Sequence, residues 1–439
     1  MPFPKVVKVR QRFPRPRVEN VEEALREQLG REEIASTVRP GTSVALTAGS
    51  RGVAQIHVIL RSLVQILKEM GAEPFIVPAM GSHGGATVEG QVEVLESLGI
   101  TEEFCGAPIR SSMEVVELEE TQRGMPVYMD RIASEADGVV VVNRIKAHTD
   151  FRGSVESGLL KMASIGLGKH EAALSLHGYG VKGIRDFMVE VGTEVFNSGH
   201  VLFGVGLVEN AYDEPAHIEA ILPPDVPRRE EELLREYMEM MPSLPVSDID
   251  ILYVDALGKN YSGTGMDTNI IGRFRILGVE EPESPKVKYL IVGDLSEESH
   301  GNALGVGLAD FTTQRLVQQI ERRAMNANVL TSTFVERAKV PMTLANDEEA
   351  LEAAIRCNWG VPEEETRFVR IPNTLHLEYL YVSENLLEEA LRNGAEVVED
   401  ASEIRFDGDG NLASFGTEEV VGHRTGALPG PDDGYFAVS

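Results

Sequence analysis

The sequence has few cysteines and no long apolar run. Its 439 residues include only Cys105 and Cys357, which lie far apart and without Cys-x-x-Cys spacing. We therefore expect neither a disulfide framework nor a cysteine-based zinc site. Because no run of about eighteen apolar residues is present, we also expect no membrane-spanning segment. These absences together predict a cytoplasmic protein.

Basic residues are also few relative to acidic residues. The chain has 41 lysines and arginines against 70 aspartates and glutamates, which gives a formal net charge of −29. An acidic surface repels nucleic acid and anionic membranes, so neither is an expected partner. Basic residues do precede Glu19, but no apolar stretch follows them. The first residues are therefore predicted to form an opening strand or arm and not a signal peptide.

The apolar pattern predicts alternating strands and helices. A chain of this length is too long for one core. Short apolar runs predict strands, and apolar residues at helical spacing predict helices. In the first half, strands are expected at 44–47, 75–77 and 138–142, and helices at 56–70, 87–98 and 230–241. In the second half, strands are expected at 249–254, 287–292 and 368–371, and helices near 310–324, 347–357 and 384–393.

We therefore predict an α/β fold of two α/β domains with mostly parallel sheets and the active site in the cleft between them. Residues 1–245 would form an N-terminal domain for cofactor binding and catalysis. Residues 246–395 would form a C-terminal domain that covers the substrate. Residues 396–439 would form a hairpin and a loose tail that packs back on the N-terminal domain.

Three histidines and one lysine lie in glycine-punctuated segments of the first half. His83 lies in Gly81-Ser-His-Gly-Gly, and His148 follows the strand predicted at 138–142. Lys161 and His177 are 16 residues apart. Imidazole can act as an acid, a base or a metal ligand near neutral pH. Since ligands bind outside the carboxyl ends of parallel strands, we expect Arg51, His83 and His148 at one sheet edge.

Each of these residues also has a structural explanation. His83 fits a helix cap, and His148 fits an exposed loop. His170 shares a helical face with His177 and is its rival. Lys161 fits a helix edge with its ammonium in water. Its surroundings of apolar and small residues, however, favour a lowered pKa and a nucleophilic amine.

Residue types alone leave three kinds of function open. The first is a two-base enzyme that inverts a stereocentre. The second is a zinc-dependent hydrolase with His83, His148 and His177 as ligands. The absence of His-x-His and His-Glu-x-x-His spacing weakens that possibility. The third is a protein that binds a cofactor or small molecule without turnover.

The order of the motifs resembles that of the nickel-dependent lactate racemase family. The match spans most of the first 250 residues. The residues that carry it are Ser50-Arg51, Gly81-Ser82-His83, His148, Lys161, Gly166-Leu167-Gly168-Lys169 and His177. The resemblance implies an isomerase, a racemase or epimerase of a 2-hydroxy acid. It would act by reversible, proton-coupled hydride transfer to a cofactor. Expected partners are this small-molecule substrate and cofactor-biosynthesis proteins, with homo-oligomerisation left open.

The resemblance also implies roles for individual residues. Lys161 would be bonded covalently to a nickel-pincer nucleotide, a pyridinium-3,5-bisthiocarboxylic acid mononucleotide that carries nickel. His177 would bind the nickel, and His83 and His148 would be the paired acid and base. Arg51 would lie near the cofactor and the reacting substrate, with Ser50 as a further cofactor contact.

The sequence departs from the family at several positions. Thr47 and Ala48 replace an aspartate pair, and Gly84 replaces an arginine. The segment at 263–272, which contains Asp267, lacks the family's tyrosine–glutamine pair. Arg273 or Arg275 would replace a lysine that grips the substrate carboxylate, since a guanidinium binds carboxylate through two hydrogen bonds. We therefore expect Asp267, Arg273 and Arg275 to bind a 2-hydroxy acid other than lactate.

Overall fold

The computed structural model describes residues 2–50, 53–416 and 419. These residues form two compact units. The N-terminal unit is Pro14–Met241, and the C-terminal unit combines residues 2–13 with residues 242–416. The predicted fold class, two α/β units with mostly parallel sheets, is confirmed. The division falls after residue 241 instead of residue 245, and the first strand lies in the C-terminal unit.

All six predicted strands lie inside observed strands. Within the described residues the strands are β1 (Val6–Arg10), β2 (Ser43–Ala48), β3 (Glu73–Pro78), β4 (Val115–Glu117), β5 (Tyr128–Asp130), β6 (Gly138–Arg144), β7 (Val201–Glu209), β8 (Pro215–Ile221), β9 (Asp248–Leu257), β10 (Lys286–Leu295), β11 (Phe311–Thr313), β12 (Met342–Leu344), β13 (Phe368–Ile371), β14 (Tyr379–Ser383) and β15 (Glu396–Ser402). The apolar runs identified these strands because buried parallel strands are apolar on both faces.

Most predicted helices are present as well. Over the same residues the helices are α1 (Val21–Gly30), α2 (Glu32–Ala35), α3 (Ile56–Glu69), α4 (Val88–Ser97), α5 (Glu102–Cys105), α6 (Arg131–Ser134), α7 (Leu159–Lys161), α8 (Lys169–His177), α9 (Gly180–Lys182), α10 (Met188–Asn197), α11 (Val226–Met240), α12 (Thr268–Ile271), α13 (Gln314–Gln319), α14 (Arg322–Ser332), α15 (Asp347–Cys357) and α16 (Leu387–Arg392). None of them has the length and apolar character needed to span a membrane.

The helix expected near 310–324 is divided into three elements. Residues Phe311–Thr313 form β11, which pairs in parallel with β10. The Thr313 side chain then accepts a hydrogen bond from the Leu316 backbone and caps α13. The Glu321 side chain caps α14 in the same way. Two side-chain caps within this stretch therefore start two separate short helices.

The N-terminal unit is built around a five-stranded sheet in the order β3-β2-β6-β7-β8. Its first four strands are parallel, and β8 is antiparallel to β7. The core packs α1 and α3 against this sheet through fully buried side chains, among them Leu25, Leu46, Leu60 and Val140. The carboxyl ends of β2, β3 and β6 lie at one sheet edge, which is where the first half carries its glycine-rich loops.

The C-terminal unit has an eight-stranded sheet in the order β12-β11-β10-β9-β13-β14-β1-β15. Strand β1 pairs with β14 on one side and with β15 on the other. Residues 396–402 were expected to belong to a hairpin and tail that pack on residues 1–245. Strand β15 pairs with residues 6–10 of that range, which here lie in the C-terminal unit. Charge complementarity supports the pairing, because Lys8 contacts Glu399 at 3.1 Å and Arg12 contacts Glu396 at 3.3 Å. The rest of the predicted tail, beyond residue 419, lies outside the described residues.

Candidate active site

The loop that follows β3 carries His83. The backbone of Gly81 and Gly84 has positive φ values of 62° and 67°, a conformation that favours glycine. The Nδ1 atom of His83 lies 2.7 Å from the Met80 carbonyl oxygen. Because a carbonyl only accepts, Nδ1 carries the proton and donates it in this hydrogen bond. In the neutral ring, Nε2 therefore carries a lone pair and can accept a proton.

The loop that follows β6 carries His148. Its ring stacks on Phe151 with centroids 4.5 Å apart and an interplanar angle of 26°. The His148 backbone N–H donates to the buried Glu156 carboxylate at 2.6 Å. The Asp150 backbone N–H donates to His148 Nδ1 at 3.1 Å. These contacts fix both the loop and the plane of the ring.

The amine of Lys161 meets the other nitrogen of this ring. Lys161 Nζ lies 3.0 Å from His148 Nε2. Since His148 Nδ1 accepts the Asp150 N–H, the proton of the neutral ring is on Nε2. A hydrogen bond from Nε2 to Nζ is then satisfied by the uncharged amine of Lys161. The geometry around His148 thus favours the nucleophilic form of this lysine.

Lys161 ends α7 and continues into a π-helical turn over Met162–Gly166. In this turn the Leu167 N–H donates to the Met162 carbonyl at 2.9 Å. Such turns are rare and are frequent at functional sites. At the other end of α7, the buried Glu230 carboxylate accepts from the Leu160 N–H at 2.9 Å. Burial raises the pKa of Glu230 to about 8.

Small residues bring the Lys161 segment close to the sheet. A Cβ atom on Gly166 would lie 2.7 Å from the Ala79 carbonyl oxygen. One on Gly49 would lie 3.0 Å from the Met162 side chain. The Gly81 N–H also donates to the Gly166 carbonyl at 3.3 Å. The loops after β2 and β3 therefore pack directly on the helical segment that carries Lys161.

His177 is the last residue of α8, the next helix. Its Nδ1 donates to the Ala173 carbonyl at 2.7 Å, which leaves the lone pair on Nε2. Burial lowers the pKa of His177, so the ring is neutral at neutral pH. Lys161 and Asp150 both lie near this imidazole. A neutral ring with one nitrogen anchored to a carbonyl is the usual form of a metal-binding histidine.

The predicted residues of the first half thus fall into one region of the N-terminal unit. His148 and Lys161 are in contact, and His177 lies near Lys161. The His83 loop packs on the same helical segment, since a Gly81 Cβ would contact Ile165 at 3.2 Å. Ser50 is half-buried two residues after β2. Arg51 lies outside the described residues.

The zinc possibility lacks its ligand cluster. Over residues 2–50, 53–416 and 419, no three His, Cys, Asp or Glu side chains are grouped so that they could hold a metal ion. His83, His148 and His177 therefore do not form a three-histidine site.

The residues expected to bind substrate lie in the C-terminal unit and have internal partners. The buried guanidinium of Arg273 donates to the carbonyls of Leu308, Val287 and Lys288 and to Asp310 at 2.7 to 3.1 Å. Arg275 donates to the other Asp310 oxygen at 2.7 Å. Asp267 caps α12 by accepting from the Asn269 N–H. This arrangement gives Arg273 a structural role, because its donors are directed at protein acceptors.

Two buried polar residues around the site, Glu230 and Gln91, did not stand out in the sequence, and Lys169 stood out only as part of the motif at 166–169. Glu230 caps α7, and Lys169 and Gln91 lie beneath the His83 loop. The glycines beside Lys169 drew attention to its segment. The ion pair of Lys169 with Asp130, however, joins positions 39 residues apart and therefore leaves no local pattern in the sequence. A glutamine or glutamate at helical spacing carries no signal of its own when its partner is distant in sequence.

Two comparisons with known proteins agree with the fold of the chain. Residues 5–182 match the family model described as the lactate racemase N-terminal domain. The fold is similar to that of the lactate racemase apoprotein from Thermoanaerobacterium thermosaccharolyticum, with a TM-score of 0.51 and 11% sequence identity. That similarity covers 84% of this chain and 98% of the other. No curated protein matches the chain.

Proposed function

We propose that this chain, of which residues 5–182 match the lactate racemase N-terminal domain model, is an isomerase that racemises or epimerises a 2-hydroxy acid. The observation that carries this proposal is the 3.0 Å contact between the Lys161 amine and His148 Nε2. It joins a reactive amine to a proton-transfer group in the same unit as His83 and His177. The distant structural similarity supports the fold, and the residues support the chemistry.

The donor set fits a nickel-pincer nucleotide. An uncharged Lys161 amine could form the covalent bond to such a group. His177 offers one anchored, neutral imidazole, which suits a metal whose other ligands come from the cofactor. The lack of a three-ligand cluster in the described residues agrees with this division of ligands. When bound, the group would supply a reversible acceptor for hydride from the substrate carbon.

The protein residues would handle the proton. Inversion at the hydroxyl-bearing carbon requires that the hydroxyl proton leave and return. The two enantiomers present their hydroxyls on different sides, so two bases are needed. His83 has its Nδ1 proton bound to the Met80 carbonyl, which places the lone pair of the neutral ring on Nε2. His148 is held by its stack on Phe151. To act as a base it would carry its ring proton on Nδ1, which lies 3.7 Å from the Asp150 carboxylate, and its lone pair on Nε2. Each base must come within hydrogen-bond distance of the substrate hydroxyl.

The proposal is tested with protein from cells that make the cofactor. Intact mass and metal analysis of the wild type should give an added mass on Lys161 and stoichiometric nickel. The matched variant Lys161→Ala should lose both. A panel of chiral 2-hydroxy acids, analysed by chiral chromatography, should then identify an acid that is racemised only by the modified protein.

Three results would argue against this proposal. An unmodified Lys161 without nickel, in cells that load a known family member, would refute the cofactor. Stoichiometric zinc retained by Lys161→Ala would favour the hydrolase. A loaded protein that interconverts no acid of the panel would favour binding without turnover.

A further inference from the structure

The fully buried Lys169 has three acceptors around its ammonium. Nζ donates to the Pro78 carbonyl and to Gln91 Oε1 at 3.0 Å, and it pairs with Asp130 at 3.0 Å. The exposed fraction of its side chain is 0%. A buried ion pair usually adds no stability over apolar residues of similar volume, and in some proteins its benefit is a specific geometry. The Lys169 ammonium is therefore best explained by the groups that it holds in position.

The ammonium fixes the orientation of Gln91. Since an ammonium only donates, the Gln91 amide must turn its oxygen toward Lys169. Its nitrogen then points the other way and donates to the carbonyls of Gly81 at 2.9 Å and His83 at 3.2 Å. Gln91 is itself fully buried. No other orientation of this amide satisfies all three contacts.

The position of Lys169 in the chain links two parts of the site. It is the first residue of α8, the helix that ends at His177. Its backbone has a φ of 52°, which is unfavourable for a residue with a side chain. Such a conformation persists only where the surroundings fix it, and it is most often found at functional sites. Here it directs a lysine side chain from the start of α8 toward the His83 loop.

We propose that Lys169 is a positioning residue that, through Gln91, holds the His83 loop in a fixed relation to the helix that carries His177. The ammonium orients the amide, and the amide holds the carbonyls of Gly81 and His83. The His83 ring is held in turn by the Met80 carbonyl. The benefit to a proton-transferring His83 rests on the function proposed above. The mechanical link itself does not.

The experiment uses the full-length protein without cofactor. Gln91→Glu keeps the size of the side chain and an acceptor for Lys169, but it places an oxygen against the two loop carbonyls. Lys169→Met removes the ammonium. Lys68→Met is the control, because Lys68 is an exposed lysine of the same unit that donates to the Gly106 carbonyl. Two readouts are used, amide hydrogen exchange by segment and nitrogen NMR of ¹⁵N-labelled histidine rings, with His83 assigned from a His83→Gln variant.

In Gln91→Glu and Lys169→Met, amide exchange over residues 79–87 should rise about tenfold or more. The His83 ring should change from the Nδ1–H form toward a mixture of both tautomers. Lys68→Met should behave as the wild type. The proposal is overturned if Gln91→Glu leaves both readouts unchanged, or if exchange rises uniformly over residues 14–241, which would be a loss of global stability. Both readouts are independent of turnover, so a protein without nickel or racemase activity can still pass this test.

Discussion

The Lys161 amine and the His148 ring form a hydrogen-bonded pair whose proton positions are set by a third group. Asp150 donates its backbone N–H to His148 Nδ1 at 3.1 Å. On the other side of the ring, His148 Nε2 lies 3.0 Å from Lys161 Nζ. The pair therefore favours a neutral ring that donates to a neutral amine. This relationship leads directly to a test of amine reactivity.

Lys161 should be carbamoylated by cyanate at pH 7 about tenfold or more faster than the exposed Lys68, because only an uncharged amine can attack the carbon of this reagent. His148→Phe keeps an aromatic ring against Phe151 but removes the nitrogen that faces the amine, so it should slow the reaction. Peptide mass spectrometry after timed quenching measures the modification of each lysine. Equal rates at Lys161 and Lys68 would contradict the uncharged amine.

His83→Asn and His148→Asn should each lower kcat for racemisation by about 100-fold or more, in both directions, because each base serves one enantiomer. Nickel content and the mass on Lys161 should remain in His83→Asn, since His83 is neither the proposed attachment site nor the metal ligand. His148→Asn should also slow attachment at Lys161, because His148 Nε2 faces the amine, so its kcat is expressed per loaded protein. Chiral chromatography from each pure enantiomer measures the rates. A variant that racemises at the wild-type rate would remove that histidine from the mechanism.

Glu230 should make the N-terminal unit less stable as pH rises. Burial raises its pKa to about 8 from a usual value of 4.5. Between these values the folded chain holds a proton that the unfolded chain has lost, so the free energy of unfolding falls by up to about 1.4 kcal/mol per pH unit from this group. Glu230→Gln should remove that part of the slope.

Urea unfolding at pH 5.5 and 7.5, followed by circular dichroism, measures this slope. Glu239→Gln, an exposed change on the same helix, is the control and should keep the wild-type slope. A Glu230→Gln slope equal to that of the wild type would mean that Glu230 ionises in the folded protein as it does in the unfolded chain.

Gly166→Ala should destabilise the protein by about 1–3 kcal/mol, because its Cβ would lie 2.7 Å from the Ala79 carbonyl oxygen. Gly30→Ala is the matched control. Gly30 lies in α1, and no atom lies within 4 Å of its Cβ position, so the change should be neutral or slightly stabilising. Thermal unfolding of both variants decides the comparison, and equal melting temperatures would argue against the close packing of the Lys161 segment.

Arg273→Met and Arg275→Met separate structural from substrate roles in the C-terminal unit. Arg273→Met should lower stability by about 3–5 kcal/mol, since it leaves buried acceptors and Asp310 without their partner. Arg275→Met should cost less than about 1 kcal/mol, because its ion pair is more exposed. If Arg273→Met instead left thermal unfolding unchanged and raised only the KM of the substrate, the substrate role would be restored.

The sequence predicted the strands well and their long-range pairing poorly. Apolar runs such as residues 138–142 are recognisable because a buried parallel strand is apolar on both faces. The pairing of β1 with β15 joins residues almost 400 positions apart, through contacts such as Lys8 with Glu399. Local patterns contain no information about that partner. The sequence alone therefore could not identify β1 as the partner of residues 396–402.

The same distinction applies to the site. His83, His148, Lys161 and His177 stood out because glycines and apolar residues surround them. Gln91 and Lys169 gain their roles only from each other and from the loop above them. Arg273 was interpreted from its charge, whereas its burial beside Asp310 became visible only in the fold.

The π-helical turn at Met162–Gly166 has a consequence for the length of this part of the chain. It takes up one residue more than an α-helical turn, and the orientation of all that follows depends on that extra residue. Deleting one residue there would narrow the turn and shift Gly166 relative to the Ala79 carbonyl that it packs against. Phe151 and Glu156 hold His148 from the loop at 149–157, so we expect insertions and deletions to disturb the site on both sides of Lys161.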